Sequence, residues 1–369
     1  MINIFKQDHD KYYFAKANKY FKNDKWIHGK CVNRLEKQIE KKLKLKVNAC
    51  SCNSGSDALM IALTIDRDPK RDIYITTPLS YIASSSIVKF LNLNIIYIDV
   101  NEENFLLDLN KLETFLKKCD RKILKRIKGI INVELFGFAN DLHKLNIIAN
   151  KYNLTLIGDC SQSFGTLFHQ QSTLNYYDYS VVSFYPTKIF SSYGDGGMIF
   201  IKKKNSFKKA MIIKNNGHEI VNKNNCKVLG FNSRLDSFQA FILLMKLKNF
   251  NNLIKKKKIF YDIFINNMHK FKIPNFNSNL TQNNYLLSFY VKKNIIKKFI
   301  NYMKFKNVEC KIIYKKLLPE NKILKPIIPT NMKNAKKCTE SLVVIPNHNN
   351  ISLKIFKNII KTINEFKSK

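Results

Sequence analysis

Lys188 stands in Ser183-Phe184-Tyr185-Pro186-Thr187-Lys188, shortly before Gly194-Asp195-Gly196-Gly197. Upstream, Asp159 ends an apolar run, Leu154-Thr155-Leu156-Ile157-Gly158-Asp159, that reads as a buried strand. A lysine on a turn after one strand and a carboxylate at the end of another suit one kind of chemistry. The amine condenses with an aldehyde to a Schiff base. The acid keeps a pyridine nitrogen protonated, so the ring can act as an electron sink. These are the needs of pyridoxal phosphate (PLP). Alone, one lysine and one aspartate would read as two solvated side chains, so the case rests on what surrounds them.

Four more stretches bear on it. Cys52-Asn53-Ser54-Gly55-Ser56-Asp57 places small residues at a helix start, where free N–H groups and the helix dipole suit a phosphate. The same residues also make an ordinary helix cap. Thr77-Pro78-Leu79-Ser80-Tyr81 follows a strand and offers a ring that could stack on a planar cofactor or simply join the core. Asp159-Cys160-Ser161-Gln162 adds an amide within reach of ring substituents. Gly230-Phe231-Asn232-Ser233-Arg234-Leu235-Asp236 opens a long helix with polar groups. The glycines at 194, 196 and 197 precede a strand and open no helix, so they read as a tight turn and not as a dinucleotide loop.

These residues need a scaffold, and the pattern between about 50 and 200 supplies one. Helices are expected over 56–65, 82–91, 109–117 and 141–152. Strands are expected over 72–76, 95–100, 129–135, 154–159 and 179–184, with another starting at 197. Such alternation predicts an α/β fold with a mostly parallel central sheet and helices on both faces. Ligands then bind at the carboxyl ends of the strands, where Asp159 and Ser183 fall. A long helix is expected over 235–261, with a break near Asn251-Asn252. Beyond it, shorter strands (288–291, 311–314) and helices (295–306, 353–366) predict a smaller α+β domain. The division is a large domain over 1–250, with an N-terminal arm, and a small one over 251–369.

With 64 Lys and Arg against 27 Asp and Glu, the net charge is +37, a balance that raises the question of nucleic acid. Lysine is spread from end to end, however, and Lys202-Lys203-Lys204 and Lys255-Lys256-Lys257-Lys258 read as solvated faces or helix ends. Nucleic-acid binding therefore stays a minor alternative. Eight scattered cysteines without a C-x-x-C pair indicate neither a disulfide framework nor a metal site. The polar start and the lack of a long apolar span argue against a secretory signal or membrane helix, which makes the cytoplasm the expected location.

Taken in order, the quoted stretches resemble the DegT/DnrJ/StrS family of PLP-dependent sugar aminotransferases, of the type I PLP-dependent transferase fold. The likeness runs from about Gly29 to Asp236 and continues more weakly to Pro346-Asn347-His348. Within the family it points to the enzymes of nucleotide-linked 3-keto sugars, those of UDP-2-acetamido-2-deoxy-3-oxoglucuronate among them. The resemblance implies that Lys188 forms the Schiff base, Asp159 pairs with the pyridinium nitrogen, Tyr81 stacks on the ring and Gln162 meets its hydroxyl. It implies that Gly55, Ser56 and Ser183 bind the phosphate, joined by Asn232 of a neighbouring subunit in a homodimer. Arg234 and Tyr314 would face the substrate. The amino donor would be glutamate, with glutamine open, and the acceptor a nucleotide-linked keto sugar of a surface polysaccharide pathway. Two departures bear on the sugar: Ile313 replaces the histidine of a His-Tyr pair, and Lys315 and Lys316 replace prolines. A catalytically idle relative of the fold is the competing reading.

Overall fold

In the computed structural model, which describes residues 1–7, 11–22, 24–219 and 225–367, the apolar runs become strands buried on both faces. In chain order these are β1 (Asn48–Cys52), β2 (Ile73–Thr76), β3 (Asn94–Tyr97), β4 (Ile127–Val133), β5 (Thr155–Asp159), β6 (Leu167–Phe168), β7 (Gln171–Ser172), β8 (Tyr179–Ser183) and β9 (Gly197–Ile201). Seven of them form one sheet in the order β1-β9-β8-β5-β4-β2-β3. The pairs from β8 to β3 are parallel, and β9 runs antiparallel to both of its neighbours. The carboxyl ends of six strands and the start of β9 therefore share one edge.

Side chains alternate between two cores, as a period of two requires. In β5, Leu156 joins one core and Ile157 the other; Val182 and Val181 do the same in β8, as do Phe200 and Ile199 in β9. The first core is covered by α2 (Lys30–Lys42), and the second by α3 (Gly55–Asp66) and α4 (Ala83–Phe90). Packed on the first are also α5 (Leu109–Lys118) and α7 (Leu142–Lys151), with the short α6 (Arg121–Arg126) beside them, while α8 (Lys204–Ile213) lies on the second. Ahead of α2, the first helix, α1 (Lys11–Tyr20), packs on α9 (Ser237–Lys248). Side-chain caps fix several starts: Asp108, Asp141 and Asp236 accept from the first N–H groups of α5, α7 and α9.

A third core gathers Phe260 and Phe264 of α10 (Phe250–Asn267), with β10 (Leu280–Thr281) leading to β11 (Leu287–Tyr290). α11 (Ile296–Phe305), α12 (Lys333–Ser341), β12 (Leu342–Ile345) and α13 (Leu353–Glu365) complete this part, with β11 and β12 paired antiparallel. Several contacts stitch it to what precedes it, two of them close to its helices. Ile2 pairs with Val308, and the Ile4 N–H donates to Glu309 Oε2 at 2.7 Å. Asp99, just past β3, accepts from the N–H groups of Asn334 and Ala335 at the start of α12.

Four expectations need correction. The break expected near Asn251-Asn252 in the helix over 235–261 falls at Asn249, and the second part runs on to Asn267. Residues 311–314 form no strand; Lys311 makes one bridge to Val344. β1 was not foreseen, because Asn-Ala-Cys-Ser-Cys has no β-branched residue; β9 pairs with it along its whole length and makes it a strand. Finally, the run 255–258 is not wholly solvated. Lys257 is buried on the same face of α10 as Phe250, Phe260 and Phe264.

Candidate cofactor site

At the carboxyl edge the chain leaves β1 and turns into α3 through Ser54, whose Oγ accepts from the Asp57 N–H at 3.1 Å. Gly55 and Ser56 open the helix, so their N–H groups have no acceptor within it. Ser183, at the end of β8, lies directly opposite. A Cβ added to Gly55 would come within 2.8 Å of the Ser183 Cβ, and one on Gly197 within 2.2 Å of the Ser54 carbonyl carbon. Glycine is required by this close approach of helix start and strands. The result is a cradle of helix N–H groups and a serine hydroxyl, suited to a phosphate.

The stretch over 230–236 is tied to the same place. Ser233 Oγ donates to Asp57 at 2.7 Å and accepts from the Asn53 N–H at 3.1 Å. Its neighbour Asn232 is exposed and pairs through its backbone with Asn215. The Nε of Arg234 is buried without a hydrogen-bond partner. Among the described residues, neither side chain bonds to Lys188, Asp159 or Ser183 of its own chain.

Lys188 sits on a turn that the rest of the loop holds firmly. Its N–H donates to the Tyr185 carbonyl, the Phe184 N–H to that of Gly196 and the Ser192 N–H to that of Phe184, each at 2.8 Å. The Lys188 Nζ lies 5.8 Å from the centre of the Tyr285 ring. Burial holds this amine below the ordinary lysine range, against the opposing pull of the Asp159 charge. A larger share of free amine, the nucleophilic form, follows. The Asp159 carboxylate accepts from the Ser161 N–H at 3.2 Å, which fixes its direction at the strand end.

Gln162 is buried and both ends of its amide are held. Oε1 accepts from the Phe136 N–H at 2.9 Å, and Nε2 donates to the Tyr314 hydroxyl at 3.0 Å. Tyr314 stacks on Phe136 at 6.1 Å, and burial pushes its hydroxyl well above the usual phenol range, with Asp159 and Tyr81 adding to the shift. Tyr314 thus belongs to the cluster. Tyr81 is 61% exposed, a ring with an open face at the edge of the sheet and not a core tyrosine. Ile313 is partly buried against the first core, and Lys315 and Lys316 are exposed.

Sequence reasoning missed Glu134, the residue that follows β4. It is fully buried, and its carboxyl accepts from the hydroxyls of Ser163, of Thr173 at 2.9 Å and of Tyr177 at 2.7 Å. Burial outweighs these three donors and pushes its pKa up to about 7. Its own N–H donates to the Asp159 carbonyl at 3.0 Å, which links the two strand ends. Just after it, Phe136 adopts φ of 57°, a left-handed conformation that costs a bulky residue on the order of 1 kcal/mol or more. The contacts of Glu134, Gln162 and Tyr314 hold that strained turn in place.

A phosphate cradle, a part-desolvated lysine, a carboxylate facing it and an open aromatic ring share one strand edge. The donor set fits PLP: Gly55, Ser56 and Ser183 for the phosphate, Asp159 for the pyridine nitrogen, Lys188 for the aldehyde and Tyr81 for the ring face.

The profile of the DegT/DnrJ/EryC1/StrS aminotransferase family matches residues 7–364. A Pseudomonas aeruginosa UDP-2-acetamido-2-deoxy-3-oxo-D-glucuronate aminotransferase is 32% identical over 240 residues, 65% of this chain; the chain covers 64% of that protein's length. A Shigella dysenteriae dTDP-4-amino-4,6-dideoxy-D-glucose transaminase is 25% identical over 95% of this chain and 93% of its own. The crystal structure of a DegT DnrJ EryC1 StrS aminotransferase from Brucella abortus superposes with a TM-score of 0.88 at 22% identity, over 95% of this chain and 94% of that one. That likeness shows the same fold. PLP is the cofactor of these aminotransferases. With its lysine, its carboxylate and its phosphate cradle all in place, the chain belongs to the DegT/DnrJ/EryC1/StrS aminotransferase family.

Proposed function

We propose that this protein is a PLP-dependent aminotransferase that moves an amino group from glutamate to a nucleotide-linked keto sugar. The product is an amino sugar for a surface polysaccharide or glycan. The observation that carries the reading is Lys188, whose buried amine shares a field with Asp159 beside the Gly55–Ser183 cradle.

When bound, PLP supplies an electron-withdrawing pyridinium ring that stabilises negative charge on the carbon being deprotonated. The chain's own residues do the rest. Lys188 Nζ would hold the aldehyde until the donor's amine displaces it, and the freed amine would then be the base that takes the proton from one carbon and returns it to another. Asp159 keeps the ring nitrogen protonated. Gly55, Ser56 and Ser183 anchor the phosphate, and Tyr81 covers one ring face. Gln162, held by Phe136 and Tyr314, sets the third side of the site.

Among the described residues, the side chains of Asn232 and Arg234 make no hydrogen bond to Lys188, Asp159 or Ser183 of their own chain, which agrees with action across a homodimer interface. Exposed apolar side chains support such an interface: Trp26 is 63% exposed, Tyr81 61% and Leu229 92%. The third core, from Phe260 onward, supports a smaller domain beginning near residue 251. No helix among the described residues is long and apolar enough to cross a membrane, and a cytoplasmic enzyme is the reading we adopt.

The test is the visible absorption spectrum of purified protein with PLP, before and after glutamate, beside Lys188→Ala. A band that bleaches with glutamate in the wild type, and is lost or shifted in the variant, is expected. A band indifferent to every amino donor would leave a scaffold without the activity.

A further inference from the structure

Beside Lys188 lies a small cavity of about 50 Å³, lined by none of Gly55, Ser56 and Ser183. The Lys188 turn forms one wall, the opening residues of the chain another, and α10, Tyr285 and Leu286 before β11, and the loop after β12 the rest. Four basic side chains line it, those of Lys6, Lys188, Lys257 and His348, and no carboxylate does among the described residues. Asp159 faces Lys188 from β5 and is the acidic charge felt there.

Two of these groups are not satisfied by the fold. Lys257 is 5% exposed, and its ammonium makes one hydrogen bond, to the Asn347 carbonyl at 2.6 Å. An ammonium carries three donors, so a nearly dry lysine is left with donors to spare. The Nδ1 of His348 is buried with no partner. A buried polar nitrogen is ordinarily hydrogen-bonded, and leaving one without a partner is costly, the more so when it carries charge.

We propose that this cavity is a carboxylate subsite and that it takes the carboxylate of the amino donor. The inference rests on the aminotransferase reading above. Size separates the candidates: ligand pockets for drug-sized molecules measure roughly 300–1,000 Å³. A void of about 50 Å³ admits a carboxylate or a few waters and no nucleotide sugar. Position favours the donor, because Lys188 lines both this cavity and the cofactor cluster. An acid bound there is one side chain away from the reacting amine.

Electrostatics agree. Burial lowers Lys257 to about 7, and burial with the nearby Lys257, Lys6 and Lys256 lowers His348 to about 4. An anion in the cavity would favour the charged form of both against that burial and offset the repulsion among them.

The experiment has two arms, each run on wild type and on Lys257→Met, which keeps the apolar stem and removes the charge. In the first, apoprotein is melted in acetate and in chloride at equal ionic strength. Acetate is expected to raise the Tm saturably in the wild type only. Equal acetate effects on both proteins overturn the subsite. In the second, PLP-loaded protein is titrated with glutamate and the visible band followed. The half-saturating glutamate concentration is expected to rise at least tenfold in the variant, as loss of a charge-assisted hydrogen bond predicts. An unchanged value beside a positive acetate arm overturns the donor assignment in favour of a free small anion. If wild type never bleaches with any donor, the aminotransferase reading fails, and the acetate arm still decides the subsite. Should Lys257→Met not fold, His348→Ala carries both comparisons.

Discussion

Glu134 shows how a single buried acid can be read from its surroundings. Its pKa of about 7 lies above the ordinary glutamate value, so between about pH 4.5 and 7 the folded state holds a proton that the unfolded state has lost. Its contribution to stability is therefore full below about pH 4.5 and fades as pH rises through 7. Glu134→Gln, which cannot titrate, is expected to flatten that part of the stability curve; chemical denaturation at several pH values checks it, and an unaltered slope refutes the assignment. Sequence alone hid this residue, since a glutamate after an apolar run reads as solvated. Its partners stand 29 to 43 positions away and carry no local signal. Lys257 was hidden differently. Four lysines in a row look like a wet surface, yet counting in helical steps from Phe250 to Phe260 and Phe264 places Lys257 on the apolar face. Asp159 was legible because it closes a recognisable strand, and Lys188 because it stands on the turn after one.

Elements bring the next prediction. α3 meets β8 and β9 so closely that Gly197→Ala would set a methyl group 2.2 Å from the Ser54 carbonyl carbon. Either the helix start or the β9 start must move, at a cost of roughly 1–3 kcal/mol of stability. The Ser54–Ser56 turn then leaves its place opposite Ser183, and PLP affinity should fall at least tenfold. Fluorescence titration of apoprotein with PLP reads this directly; a variant that melts lower but binds PLP as before would remove Gly197 from the cradle. The alternation of helix and strand over 50–200 was legible because apolar residues recur at periods of 3.6 and 2. β1 was not, because its strand character comes from its partner and not from its own residues. The 311–314 stretch misled in the opposite way: its residues favour a strand, but only Lys311 finds a partner there.

At the scale of the whole molecule the net charge of +37 would act, on the function proposed above, on a substrate that carries phosphates. Steering by such a field predicts that kcat/KM falls severalfold between about 20 and 300 mM salt, as screening shortens from roughly 20 to 6 Å. A flat profile would reduce the charge to a matter of composition. The exposed aromatic surface around α1 predicts a dimer in solution, and Trp26→Glu is expected to shift it toward monomer in analytical ultracentrifugation.

The pairing of β1 with β9 has one more consequence. Cys52 lies opposite Gly197, so the strand that launches the phosphate cradle has no strand to pair with, among the described residues, until β9 exists. On the ribosome, at roughly 5–20 residues per second, that is a wait of many seconds. The cofactor pocket is thus a late product of translation, and a nascent chain halted before β9 has left the exit tunnel should be unable to retain PLP.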